Sequence, residues 1–80
     1  MDIFRNGNFI GRNVVKFRHR NNWTQAVLSA KLQLVGCCMA RDIIANIENG
    51  HCAATERKII CFAEVFGEQV KAFFIQNRPS

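Results

Sequence analysis

The sequence predicts a compact all-α domain of five short helices. Apolar residues recur three or four positions apart in each segment long enough to form a helix, and threonines and glycines stand where helices would begin and end. No segment shows the sustained alternation of apolar and polar residues that is typical of a half-buried strand. With 80 residues, 49% of them hydrophobic, the chain can form one small core. We expect one domain over residues 9–76, preceded by a basic N-terminal arm at residues 1–8.

The first two helices are predicted from their buried faces. Residues 9–20 carry three apolar side chains at positions i, i+4 and i+7, which are Ile10, Val14 and Phe17. Thr24 can begin the second helix, because its hydroxyl oxygen can accept a hydrogen bond from an unpaired amide of the first turn. We expect this helix to run to about Gln33 and to bury Leu28 and Leu32.

The third helix is predicted at about Ala40 to Asn49. Residues 34–39 form the connection that precedes it, and Gly36 permits a backbone turn that is unfavourable for other residues. Gly50 is suited to the end of the helix. Two apolar side chains are expected to face the core, Ile44 and Ile47.

The last two helices are shorter and strongly apolar. Thr55 can cap a fourth helix, Glu56 suits its positive end, and Gly67 can end it. Its predicted apolar stripe consists of Ile59, Ile60, Ala63 and Phe66. A fifth helix is predicted near Glu68 to Ile75, where apolar side chains either pack in the core or form part of a dimer surface. These side chains are Val70, Phe73, Phe74 and Ile75.

The four cysteines, Cys37, Cys38, Cys52 and Cys61, could form disulfides, bind zinc or remain as thiols. They do not form the paired ligand spacing of a structural zinc site. The N-terminus lacks the apolar segment of a secretory signal, and no apolar run approaches the length of a membrane span. We therefore expect reduced thiols in a cytoplasmic protein, with no metal, no cofactor and no membrane association.

The charge of the chain favours an anionic partner. Eleven Lys and Arg against six Asp and Glu give a formal net charge of +5 and a pI of about 9.5. Such a balance is typical of nucleic-acid-binding domains, although an ordinary basic protein with a solvated surface would also fit. Charge supports nucleic-acid binding without establishing it.

The segment from Trp23 to Gly50 has the layout of a helix-turn-helix, with two short amphipathic helices around a connection. It resembles the helix-turn-helix family of phage repressors and Cro proteins, the xenobiotic-response-element type. The residues that carry the resemblance occur in the family's order and at similar spacing, and are Arg18, Thr24-Gln25, Leu28 and Ile47-Glu48-Asn49-Gly50. The resemblance covers about residues 9–76 and implies a lambda-repressor-like fold that binds double-stranded DNA.

The chain departs from the family pattern between helices two and three. Its connection is longer, and Ala40 or Met39 stands where the family has a Ser or Thr cap. The resemblance also implies that Arg18 and Glu48 form a structural ion pair, which holds helix one against helix three. This pair need not touch DNA.

Helix three is the expected base-reading element, because Ile44 and Ile47 point inward and leave the other side chains outside. Those are Arg41, Asp42, Ile43 and Asn46. Arginine suits the two acceptors of guanine, asparagine suits adenine, and aspartate can accept from the amino group of cytosine. Ile43 could contact a thymine methyl group or pack under the domain. For each position, solvated surface is the alternative.

The expected phosphate-binding residues lie at the ends of helices two and three. Thr24 and Gln25 stand at the start of helix two, where backbone amides and the helix dipole favour an anion. The Gln25 amide could also brace a side chain of helix three. Asn49 and His51 resemble the phosphate-contacting loop of the family.

We therefore expect a sequence-specific DNA-binding transcriptional regulator, a repressor that acts by occupying its operator as a homodimer. The alternative is a protein-interaction module, such as an antitoxin-like domain that binds a partner protein. No enzyme is expected, because no nucleophile has a paired base at usable spacing. The sequence also gives no sign of a small-molecule ligand.

Overall fold

Four α-helices and one 3-10 helix form the fold. The computed structural model describes residues 7–74, with side chains from Ile10 onward, and contains no strand in this range. The helices are α1 (Gly7–Arg20), α2 (Gln25–Leu34), α3 (Arg41–Glu48), α4 (Glu56–Phe66) and a 3-10 helix (Val70–Phe74). The all-α prediction is confirmed. The predicted arm falls outside the described residues except at positions 7 and 8, which belong to α1, and Ile75 and Gln76 also lie outside them.

The predicted helix caps are present. The Thr24 hydroxyl accepts a hydrogen bond from the Val27 amide at 3.1 Å, and the Thr55 hydroxyl accepts one from the Lys58 amide at 3.3 Å. Gly67 ends α4 in the left-handed conformation, with φ at 69°. These local signals explain why α2 and α4 begin, and why α4 ends, where the sequence indicates.

One core lies between the helices, and the predicted inner faces of α1, α2 and α3 are buried in it. The predicted stripe of α4 is wrong at Ile60, which is 49% exposed. The inward face of α4 instead consists of Ile59, Phe62 and Ala63. Successive residues of a helix are turned by about 100°, so Ile60 falls at the margin of this face.

The predicted fifth helix is a 3-10 helix. The Ala72 amide donates to the Gln69 carbonyl at 3.0 Å, an i to i−3 bond of the 3-10 type. Phe73 is fully buried, and its carbonyl accepts a hydrogen bond from the Asn13 side chain at 3.0 Å. Because this carbonyl is bonded to α1, the element is attached across the core. Phe74 is 47% exposed.

The prediction of four reduced thiols is wrong. Cys37 and Cys61 form a disulfide, with their Cα atoms 6.3 Å apart, whereas Cys38 and Cys52 are free. The bond joins α4 to residues 35–40, which we call the connector because they link α2 to α3. Helix packing brings these two cysteines together. The cysteines therefore give no support for a cytoplasmic location.

Among the described residues, no helix combines the length and the apolar character needed to cross a membrane.

Gly11 allows α1 to pack closely against the end of α3. A Cβ atom at this position would lie 2.9 Å from the carbonyl oxygen of Glu48, and the Ile47 carbonyl oxygen would be closer still. Both are backbone atoms, which cannot turn aside as the end of a flexible side chain can. A larger residue would therefore force the two helices apart.

We expect Gly11→Ala to lower the free energy of unfolding by about 1–3 kcal/mol, because overpacking outweighs the higher helix propensity of alanine. Chemical denaturation would measure this loss. Arg12→Ala is the matched control, since Arg12 is the next residue of α1 and is exposed. The control should change stability by no more than about 0.5 kcal/mol. Equal stability of the two variants would contradict the close packing.

Candidate nucleic-acid interface

Helix α3 has one buried face and one exposed face. Ile44 and Ile47 are 0% and 1% exposed, as predicted. Arg41, Asp42 and Asn46 are exposed on the outside of the same helix. The structure thus brings three of the four predicted base-reading residues to one short exposed surface, with two hydrogen-bond donors and one carboxylate.

Ile43, the fourth predicted base-reading residue, is half-buried and packs against the core. It also borders a groove of about 400 Å³ between α2 and the start of α3. The groove is lined by Ser29, Gln33, Cys38, Met39, Ala40 and Ile43. Ile43 therefore packs under the domain, which is one of the two roles considered for it. Its contact with the groove leaves part of the side chain at the surface.

The C-terminal end of α3 is held by a bidentate ion pair between Arg18 and Glu48. The Arg18 guanidinium donates through Nε to Glu48 Oε2 at 2.8 Å and through Nη2 to Glu48 Oε1 at 3.0 Å. The Arg18 and Glu48 side chains are 12% and 4% exposed. The predicted structural pair is therefore present, and both charges are largely removed from water.

Two further hydrogen bonds extend this pair. Gln25 donates through Nε2 to Glu48 Oε1 at 2.9 Å, which is the bracing of helix three that we considered for its amide. Arg18 donates through Nη1 to the Trp23 carbonyl at 3.0 Å. Each charged group thus gains a neutral partner. The network joins α1, α2 and α3 and fixes the end of α3 relative to the start of α2.

The predicted phosphate-binding residues at α2 are already engaged within the protein. Thr24 is exposed, and its oxygen caps the helix, so only its hydroxyl hydrogen is available to an anion. Gln25 is half-buried and uses one of the two hydrogens of its amide group on Glu48. The other amide hydrogen is a possible donor to phosphate.

Asn49 and His51 are exposed just beyond α3. The Asn49 backbone amide donates to the Ala45 carbonyl at 3.0 Å, and the His51 backbone amide donates to the Asn46 backbone carbonyl at 2.8 Å. Gly50 between them has a φ of 79°, which turns the chain away from the helix. Because the two backbone amides are occupied, only the side chains of Asn49 and His51 can meet a phosphate.

The N-terminal end of α3 is held differently. Ala40 provides no side-chain cap. The Ser29 hydroxyl donates to the Met39 carbonyl at 2.7 Å, and the Met39 side chain is buried. Two residues before Met39, the disulfide ties Cys37 to α4. The connector is thus attached to α2 and α4.

An aromatic cluster lies behind the ion pair. Trp23 is half-buried, and its ring stacks on Phe66 with the centroids 5.5 Å apart. The Lys31 ammonium lies 4.7 Å from the centre of the Trp23 ring. The Phe17 ring also contacts Phe66, with the centroids 5.7 Å apart. The residue whose carbonyl accepts from Arg18 is therefore fixed by stacking as well.

Sequence reasoning missed several contacts that position this surface. Asn13 is fully buried, and its place between Ile10 and Phe17 on the inner face of α1 was a usable signal. Ser29, which bonds the connector, and the cysteine pairing are tertiary contacts that no local pattern indicates.

Comparison with protein-family models, curated proteins and solved structures returned no match. In the part of the chain that the structure describes, no three His, Cys, Asp or Glu side chains come together in a group that could hold a metal ion.

Proposed function

We propose that this protein is a sequence-specific double-stranded DNA-binding transcriptional regulator, a repressor that acts by occupying its operator. In this proposal α2 and α3 form a helix-turn-helix, and the protein acts in the cytoplasm, where its DNA lies. The observation that carries the proposal is the two-sided character of α3. Its inner face is fixed by Ile44, Ile47 and Glu48, while Arg41, Asp42 and Asn46 are exposed on its outer face.

The outer face of α3 has the chemistry of base recognition. Arg41 would donate to the two acceptors of guanine, and Asn46 would make paired hydrogen bonds with adenine. Asp42 would accept a hydrogen bond from cytosine or orient Arg41. Ile43 would contact a thymine methyl group with the part of its side chain that is exposed at the protein groove between α2 and α3. A fixed helix suits this role, because direct readout requires side chains that hold their register against the bases.

Phosphate contacts would flank the base-reading surface. Gln25 and Thr24 lie at the positive end of α2, and Asn49 and His51 follow the end of α3. Such contacts would position the protein on the duplex without reading its sequence. The formal net charge of +5 supports attraction to the DNA backbone.

We propose that the regulator binds as a homodimer, because a single α3 spans only a few base pairs. Phe73 cannot belong to the dimer surface, since it is fully buried. Phe74 is half-exposed beside an apolar groove of about 290 Å³, to which Ile10, Ile59 and Val70 contribute. The Phe74 ring and this groove would form a self-complementary contact across a two-fold axis.

A protein-interaction module is the second candidate, and the end of α2 favours it. Leu34 is 85% exposed, and its neighbour Val35 is 39% exposed. Adjacent exposed apolar side chains are typical of surfaces that bind another protein. If this were the sole function, the protein would show no salt-dependent binding to duplex DNA.

Selection of bound duplexes from a random pool tests the DNA-binding proposal. We expect enrichment of a two-fold-symmetric site with half-site centres about one DNA turn, roughly 34 Å, apart. Sedimentation with the enriched duplex should give two protomers per site. Failure to enrich any sequence, together with no retention of duplex at low salt, would reject the proposal. One protomer per site at saturation would reject the dimer alone.

Arg41→Ala should weaken binding to the enriched duplex by about 1–3 kcal/mol and relax preference at one base position. The physical reason is loss of the guanine contact from an exposed residue in the first turn of α3. Titrations with the enriched duplex and with single-base variants would measure the effect. Arg57→Ala is the control, since Arg57 is exposed on α4 and should not alter base preference. Equal weakening on every sequence would assign Arg41 to a phosphate.

A further inference from the structure

We propose that the Cys37–Cys61 disulfide is a redox switch that controls how well α3 binds its DNA site. The inference rests on the proposed function, because the redox state would control DNA binding by the same surface. The disulfide joins the connector, which leads directly into α3, to the neighbouring helix α4. The disulfide therefore restrains the position of α3, which is the helix proposed to contact the bases.

The C-terminal end of α3 is fixed without help from the disulfide. The Arg18 guanidinium holds the Glu48 carboxylate with two hydrogen bonds, and Gln25 adds a third. Gly11 brings the backbone of α1 against the same turn. None of these contacts includes a cysteine, so reduction leaves this end in place.

The N-terminal end of α3 depends on the connector. Ala40 supplies no capping side chain. The connector is attached to α2 by the Ser29–Met39 hydrogen bond and by the Cys37 amide, which donates to the Leu32 carbonyl at 2.8 Å, and the Met39 side chain is buried. The disulfide adds a covalent restraint to α4. Arg41 and Asp42 are the first residues after Ala40. The disulfide therefore restrains the N-terminal end of α3, which carries Arg41 and Asp42, more than the C-terminal end.

The disulfide also closes a covalent ring that includes α3. Its cysteines are 24 residues apart, and the whole of α3 and the following loop lie between them. Opening the ring lets the connector and the first turn of α3 separate from α4. Because the other end stays fixed, the expected change is a wider range of α3 orientations rather than unfolding of the domain.

The chemistry of the switch is thiol–disulfide exchange with a dithiol reductant. A thiolate of the reductant attacks one sulfur of the Cys37–Cys61 bond and releases the other as a thiolate, which takes up a proton. The second thiol of the reductant then resolves the mixed disulfide. The products are two protein thiols and an oxidised reductant. Both cysteines are only half-buried, which leaves them open to this attack.

The cytoplasmic location that belongs to the proposed function favours a regulatory disulfide over a permanent one. A protein that acts on DNA in the cytoplasm meets reducing conditions, and cytosolic disulfides are usually transient and redox-sensing or catalytic. We therefore expect the oxidised protein to bind its site tightly and the reduced protein to bind it between about 5-fold and 150-fold more weakly.

The test compares oxidised and reduced protein on the duplex enriched from the random pool. Titration of free thiols establishes the redox state, and a thermal melt establishes that both forms are folded at the assay temperature. The Cys37→Ser/Cys61→Ser variant should bind as weakly as the reduced protein and should not respond to reductant. The Cys38→Ser/Cys52→Ser variant keeps the disulfide and should respond like the natural chain.

Hydrogen exchange gives a second measurement that needs no DNA. The Ile43 and Ile44 amides both donate to the Ala40 carbonyl at the start of α3, whereas the Asn49 and Gly50 amides donate near its end. Reduction should speed exchange at Ile43 and Ile44 well beyond any change at Asn49 and Gly50. The second pair is thus an internal control for global destabilisation.

Equal affinity of the oxidised, reduced and doubly substituted proteins would overturn the switch and leave the DNA-binding proposal intact. Absence of duplex binding in both redox states would reject the proposed function. Hydrogen exchange would then decide whether the disulfide controls α3. Exchange that rises equally at both ends of α3, or at neither, would overturn that control.

Discussion

Replacing Glu48 with alanine is expected to lower the free energy of unfolding by about 3–5 kcal/mol. The substitution leaves the Arg18 guanidinium, which is 12% exposed, without its charged partner. It also removes the acceptor of the Gln25 amide. Total stability for a domain is typically about 5–15 kcal/mol, so a loss of this size brings the protein close to unfolding. Denaturant titration of the two proteins measures it.

The surface ion pair between Arg20 and Glu68 provides the matched control. Its partners are 3.5 Å apart, and their side chains are 57% and 32% exposed. Water and salt screen such a pair, so Glu68→Ala should cost less than about 1 kcal/mol.

The double variant Arg18→Ala/Glu48→Ala should lose less stability than the sum of its two single substitutions, because neither charge is then left alone. Strict additivity would show that the two residues do not interact.

Loss of the disulfide is expected to lower the free energy of unfolding by about 3 kcal/mol. A bond between cysteines 24 residues apart reduces the conformational freedom of the unfolded chain, and this loop size corresponds to that magnitude. Cys37→Ser and Cys61→Ser should each give the full loss. The double variant should lose no more than either one, because a single bond is broken in all three. Thermal and chemical unfolding without reductant measure the effect.

Cys38→Ser is the control, since Cys38 is free and exposed. It should change stability by no more than about 0.5 kcal/mol. A natural chain whose unfolding is the same with and without reductant would contradict the disulfide.

Local sequence signals predicted the helices well. The inner faces of α1, α2 and α3 follow from the spacing of their apolar residues, and Thr24 and Thr55 mark helix starts through hydrogen bonds within one turn. The Arg18–Glu48 pair could be predicted only through the family resemblance, because its partners are 30 residues apart. Spacing within one helix cannot identify a partner on another.

The features that were missed are tertiary. The pairing of Cys37 with Cys61 depends on how α4 packs beside the connector, and no spacing rule encodes this arrangement. The sequence allowed Phe73 either in the core or on a dimer surface, and packing against α1, where the Asn13 side chain donates to the Phe73 carbonyl, places it in the core. Ile60 was misassigned because an apolar residue next to a helix stripe can face either side. In each case a neighbouring element determined the outcome.

Trp23 gives the protein a built-in optical reporter. It is the only tryptophan, and the chain has no tyrosine, so the intrinsic indole fluorescence of the protein comes from this single ring. The ring stacks on Phe66, and the backbone of the same residue accepts from Arg18. Changes in emission will therefore follow the environment where α1, α2 and α4 meet, without any attached label.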